Sequence, residues 1–164
     1  MAVHHNFAVL LHAQGKLTES IARYEAALRL DPAYPDAHQG LALVYKAQGR
    51  LADAVRHYRQ ALAAVPNWSE VLTDLTWILA TAPDPAVRNV ADAIATGERA
   101  VRASTLPSWA SLDALAGALA AAGRFQEATL RAREALDLAV AAGNNDAANQ
   151  VRDRVRAYEM NRVR

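Results

Sequence analysis

The chain has 164 residues, enough for a sizeable core, and 52% of them are apolar, with alanine dominant and only ten aromatics. Eighteen basic side chains nearly balance 17 acidic ones, so a net charge of +1 sets up no field that draws in nucleic acid or an anionic membrane. The absence of cysteine excludes disulfides, thiol catalysis and cysteine-held metals.

Val3, Phe7, Leu10 and Leu11 recur at helical spacing, and so do Leu17, Ile21, Tyr24 and Leu28. Gly15 falls between the two runs, where a helix must end and turn back. Thr18 is placed to cap the second helix, which closes before Asp31-Pro32. Residues 35–68 then repeat residues 1–34. At an offset of 34 the identities include His4/His38, Ala8/Ala42, Gly15/Gly49, Tyr24/Tyr58, Ala27/Ala61 and Pro32/Pro66. A period of this length means a helix–turn–helix unit stacked on copies of itself, since one unit alone cannot bury its apolar face.

Asn67 followed by Glu70 predicts a capped start for the next helix. A third copy, about 69–105, has a regular first helix through Leu72, Leu75 and Leu79. Its turn glycine is replaced by Ala82-Pro83-Asp84-Pro85. Leu79 and Ala93 stand 14 apart where Leu11 and Ser20 stand nine apart, so five residues are inserted here. Gly97 occupies the place of Tyr24 and Tyr58, and Trp109 or Trp77 is expected to fill the missing ring's space. A fainter fourth copy, about 108–142, turns at Gly123. A polar capping helix, about 146–160, closes the chain with Val151, Val155 and Tyr158 on one side. The predicted architecture is all-α: about four helix pairs in a right-handed superhelix plus the capping helix, as one domain over 1–164.

Ala8, Gly15, Ser20, Tyr24, Ala27 and Pro32 in the first copy, with Ala42, Tyr45, Gly49, Ala54, Tyr58, Ala61 and Pro66 in the second, resemble the tetratricopeptide repeat pattern. The resemblance is strong over the first 68 residues, moderate over 109–138 and partial over 69–105. The stretch from Trp77 through Pro85 to Ala93 is similar to a variant repeat near the C-terminal end of long bacterial arrays. Such arrays often adjoin membrane or glycosyl-transfer modules. What the resemblance implies is a non-enzymatic protein-binding scaffold, or alternatively the tail segment of a larger enzyme such as a glycosyltransferase-type protein. One subgroup grips peptide carboxylates with lysine, asparagine and arginine. The equivalent places here hold His5, Val9, Gly40, Glu70 and Asp74, which departs from that clamp. Another lines its groove with asparagines; Asn6 fits, whereas Gly40, Asp74 and Ala114 do not.

In such helix pairs the first helix of each lines the inner groove. That implies a partner-binding surface of His5, Asn6, Val9 and His12, then Asp36, Gln39, Leu43 and Lys46, then Glu70, Thr73 and Trp77, with Asp113 and Gly117 beyond. Trp77 is the leading anchor, because buried tryptophans dominate interfaces at roughly 2 kcal/mol or more each; the plainer reading is that it packs between helices. The five histidines show no i,i+4 pair and no carboxylate partner, so no helical metal site is expected. If Met1 is removed, Ala2-Val3-His4 could chelate Cu²⁺ through its amine. No Gly-x-Ser-x-Gly turn or phosphate-binding glycine loop is present, and no cofactor is expected. Arg152, Arg154, Arg156, Arg162 and Arg164 spread around the last helix without interleaved aromatics beyond Tyr158, which reads as a solvated cap rather than a nucleic-acid surface. Val3, Phe7 and Leu10 have no upstream helix to cover them and are expected to favour self-association. No apolar run reaches the ~18 residues of a membrane span, and the start lacks a signal peptide's order, so a cytoplasmic protein with a protein or peptide partner is expected.

Overall fold

The computed structural model describes residues 2–161, and among these there are nine α-helices and no strand. They fall into two compact units, one running to Pro66 and the other beginning at Asn67.

The first unit holds α1 (Ala2–Ala13), α2 (Leu17–Leu30), α3 (Pro35–Ala47) and α4 (Leu51–Ala64). Each pair is hinged on a glycine: Gly15 and Gly49 both have φ +73°, a left-handed conformation that costs glycine nothing. The turn closes as Lys16 N–H donates to Leu11 O and Arg50 N–H to Tyr45 O, both at 2.9 Å. Within a pair the helices approach closely because small residues meet. Ala8 and Ala27 are fully buried, and the Ser20 hydroxyl donates to Ala8 O at 2.8 Å. Tyr24, Leu41, Val44 and Tyr58 fill the remaining core, each large side chain contributing about 1.5–3 kcal/mol by leaving water. Gly40 makes room for one of these rings: a Cβ there would collide with the Tyr24 ring at Cζ.

One predicted cap is corrected. α2 starts at Leu17 with Lys16 in the capping position, and no side chain bonds to the first turn. Thr18 therefore lies inside the helix. The turn supplies one partner from the main chain, as Leu17 N–H donates to Gly15 O at 2.9 Å, and the regular helical bonds begin with Ser20 N–H to Lys16 O at 3.0 Å.

The second unit holds α5 (Ser69–Thr81), α6 (Val90–Arg102), α7 (Trp109–Ala121), α8 (Phe125–Ala141) and α9 (Asn145–Asn161). α7 packs on α5, α6 and α8, and every residue from Ser111 to Leu119 is buried, most of them alanine and leucine but Ser111 and Asp113 among them. The buried residues of α9, Ala147, Ala148, Val151 and Val155, lie in clusters with Ala132, Ala135 and Ala139 of α8. Eight residues, 82–89, join α5 to α6, where three, 122–124, join α7 to α8. Asp84 organises this longer turn by accepting from Ala86 N–H on its side chain and from Val87 and Arg88 N–H on its carbonyl. Asn89 N–H then donates to Leu79 O, and the Asn89 side chain caps α6 at Asp92 N–H.

Two further expectations are overturned here. Asn67 does not cap α5: the helix starts at Ser69 with Trp68 in the capping position and no side-chain bond. Nor does a tryptophan fill the space beside Gly97. A Cβ at Gly97 would meet Thr76 Cγ2 at 3.1 Å and Leu115 Cα at 3.2 Å, so α6 closes directly onto its neighbours. Trp77 rests instead on Gly117, and Trp109 packs where α8 meets α9.

Candidate functional site

In the first unit, α1 lies beside α3, which places the predicted residues of both helices in one unit. Val9, Asn6 and Lys46 are exposed, while His12, Asp36, Gln39 and Leu43 are half-buried. His5 is drawn inward rather than outward. Its ring meets Tyr24 and Tyr34 edge-on, each at 5.7 Å, and its buried Nδ1 has no hydrogen-bond partner. Gly40, at one of the clamp positions, lies under the Tyr24 ring and presents no side chain of its own. Burial raises the Tyr24 hydroxyl to a pKa of about 12, so it stays neutral.

Behind this face two histidines pair. His38 Nε2 lies 3.0 Å from Pro32 O, and a carbonyl only accepts, so that nitrogen carries the proton. In the neutral ring His38 Nδ1 is then bare and accepts from His57 Nδ1–H at 3.0 Å. Tyr45 stacks on His57 at 5.4 Å. Burial first, then the neighbouring Arg56 and His38, lowers the His57 pKa from 6.5 to about 4. The sequence marks His38 only by its recurrence with His4; its partner His57 carries no such mark, because the pair spans two helices.

In the second unit the predicted residues separate. Glu70 and Thr73 line an open cavity of about 220 Å³ together with Ser69, Asp74, Ser108 and Ala110, between the starts of α5 and α7. Trp77, two turns on from Glu70, lies against Gly117, where a Cβ would come within 2.6 Å of its ring. Over Trp77 sits the Arg154 guanidinium of α9, 5.4 Å from the ring centroid. Arg154 Nε and Nη2 donate to the two Asp113 oxygens at 2.8 and 2.5 Å. Asp113 is almost wholly buried; burial pushes its carboxyl up while Arg154 holds it down. Sequence spacing named Trp77, Asp113 and Gly117 for the inner face but gave no hint that an arginine 41 residues on would join them. Of the other terminal arginines, Arg152 donates to Asn149 and Arg156 pairs with Asp153. Arg162, Arg164 and Met1 lie outside the described residues.

A larger cavity, about 320 Å³, opens between α6 and α8 over Leu115 and Leu119 of α7. Its three arginines are each matched to a carboxylate, Arg102 to Glu98, Arg124 to Glu127 and Arg131 to Glu134, so no charge is left over to select a ligand. Among the described residues no three histidine, aspartate or glutamate side chains converge as a metal site would need.

The repeat pattern is matched independently. Residues 10–49 fit the family model described as TPR repeat, and residues 35–68 the one described as tetratricopeptide repeat. Residues 10–68 are tetratricopeptide repeats. Relatives of the chain among solved structures extend that fold over nearly its whole length. PilW, a widely conserved type IV pilus biogenesis factor, matches at a TM-score of 0.72 with 18% identity, covering 97% of this chain and 77% of its own. YrrB, described as a TPR protein with an unusual peptide-binding site, matches at 0.72 with 24% identity and the same coverage. TTC0263, a thermophilic TPR protein in Thermus thermophilus, matches at 0.66 with 18% identity over 94% of this chain and 89% of its own. At these identities the likeness is one of fold. No curated protein matches the sequence. Tetratricopeptide repeats are interaction modules, so this repeat protein is a protein-binding scaffold in general terms. No helix among its described residues is long and apolar enough to cross a membrane.

Proposed function

We propose that the first helices of the repeats seat a peptide, a partner's helix or a neighbouring domain, and that the chain acts by presenting this surface rather than by chemistry. The observation that carries the reading is the open cavity in which Glu70 and Thr73, both singled out by repeat register, stand together with Ser69, Asp74 and Ser108. A rigid helical wall leaves the ordering cost to the ligand. That YrrB is a TPR protein with a peptide-binding site supports the same use of the fold here. The test is selection from a displayed peptide library on the intact chain, followed by rebinding to Glu70→Arg, Thr73→Arg and, as a control on α8 outside this cavity, Leu130→Arg. Loss on the first two with retention on the third is expected. Equal binding to all three would sink the reading.

A second reading rests on a different observation. Val3, Phe7 and Leu10 are 80%, 42% and 51% exposed, although their counterparts 34 residues on, Ala37, Leu41 and Val44, are buried in a helix that packs on α2. We propose that a second copy of the chain covers the α1 face. Sedimentation equilibrium should show a dimer that Phe7→Glu dissociates; a monomer at high concentration would end the idea.

A further inference from the structure

We propose that Trp77 and Asp113 form a guanidinium-binding site, occupied by the chain's own Arg154, into which a partner's arginine can exchange. The site has the parts such a ligand needs. A planar carboxylate meets the guanidinium at two points, and an indole face lies 5.4 Å beneath it. Gly117 leaves the indole room against α7, since a Cβ there would come within 2.6 Å of the ring. An ammonium would fit poorly, since it cannot bond both oxygens in parallel or stack.

Three facts make Arg154 exchangeable rather than fixed. The helix that carries it is held by other residues: Ala147, Ala148, Val151 and Val155 are buried, so α9 keeps its apolar seat if the side chain swings out. Arg154 is 29% exposed against 3% for Asp113, so solvent reaches the occupant but not the carboxylate beneath. Arg154 is the cation bonded to Asp113, with Tyr158 close enough to feel the same charge, so whenever the arginine side chain leaves, a buried carboxylate demands a replacement cation. A tethered arginine competes at an effective concentration of roughly millimolar or more, so a partner's arginine needs help from neighbouring contacts. Those would come from the surface around Thr73, and this part rests on the peptide-binding reading above.

The experiment replaces Arg154 by Met, which keeps the aliphatic stem and removes the cation. N-acetylarginine amide is titrated against the variant, with N-acetyllysine amide in parallel, reading melting temperature and the Trp77 indole N–H resonance. The expected result is saturable stabilisation and a Trp77 shift over roughly the millimolar range, at least tenfold weaker for the lysine probe and for wild type. Adding Asp113→Asn should abolish it. A variant that folds only with the arginine probe would equally support the site. If Arg154→Met stays unfolded at every probe concentration, Arg154→Lys preserves the charge pair, and the arginine probe must then shift Trp77 by displacing the ammonium. No response in either variant, or equal response to both probes, overturns the proposal. An acetylated Gly-Arg-Gly amide tested on wild type, inside a peptide selected as above, separates the two ideas: loss of the arginine's contribution there, with rescue of Arg154→Met intact, refutes exchange with a partner but leaves the site standing.

Discussion

Acid should unlock the first unit through His57. The ring is neutral in the folded chain, with its pKa lowered from 6.5 to about 4 chiefly by burial, helped by Arg56 and His38 and opposed by Asp53. A depressed folded pKa means that the unfolded chain binds the extra proton first, so stability is full above pH 6.5 and is lost as pH falls toward 4. Between pH 7 and pH 5 the difference amounts to about 2 kcal/mol for this single group. For a chain of this size that is roughly 4–8 °C in melting temperature. The assay compares wild type with His57→Gln, whose amide N–H still reaches toward His38 but does not titrate. The variant is expected to be less stable at pH 7, having lost the Tyr45 stack, yet to lose about 2 kcal/mol less on acidification. Parallel losses in the two proteins, or an NMR titration of the folded His57 ring near its ordinary value, would refute the reasoning.

Gly40→Ala should destabilise by about 1–3 kcal/mol in urea, because its methyl would have to displace the Tyr24 ring; a variant as stable as wild type would show that the ring has another place to go. Gly97→Leu should cost at least as much. Adding Leu115→Ala should recover part of the loss and adding Trp109→Ala none, which a double-mutant cycle reads directly. Ser20→Ala should cost about 1 kcal/mol by removing the buried hydroxyl that donates to Ala8 O between the two helices, measured by chemical denaturation. Asn89→Ala should cost about 1 kcal/mol while Asn67→Ala leaves the melting curve unchanged, since only Asn89 bonds a free N–H at a helix start.

Helix positions and hinge glycines were legible because each depends on residues close in sequence. Gly15 and Gly49 need only their own φ, and Tyr24 and Tyr58 announce themselves by recurring at the same register. Caps were less legible: Thr18 and Asn67 have suitable side chains, but the backbone entering each helix already satisfies or exposes the N–H groups they would have served. The space beside Gly97 was misjudged because a missing ring can be compensated by a bulkier neighbour or by a shift of the helix, and composition does not distinguish the two. The candidate surface was legible in register only. Repeat position brought Glu70 and Thr73 to one cavity, but it could not show that His5 turns in toward Tyr24 and Tyr34. The contacts of the greatest chemical interest, His38 with His57 and Asp113 with Arg154, join residues 19 and 41 apart on different helices, where no local pattern links them.

The turn between α5 and α6 has a practical use. Its two ends are tied by the Asn89 to Leu79 main-chain bond, and Asn89 also fixes the first turn of the helix that follows. Residues 83–86 between them are exposed. A fluorescent or affinity tag spliced in after Pro83 should leave the scaffold intact, giving engineers a handle remote from both chain ends.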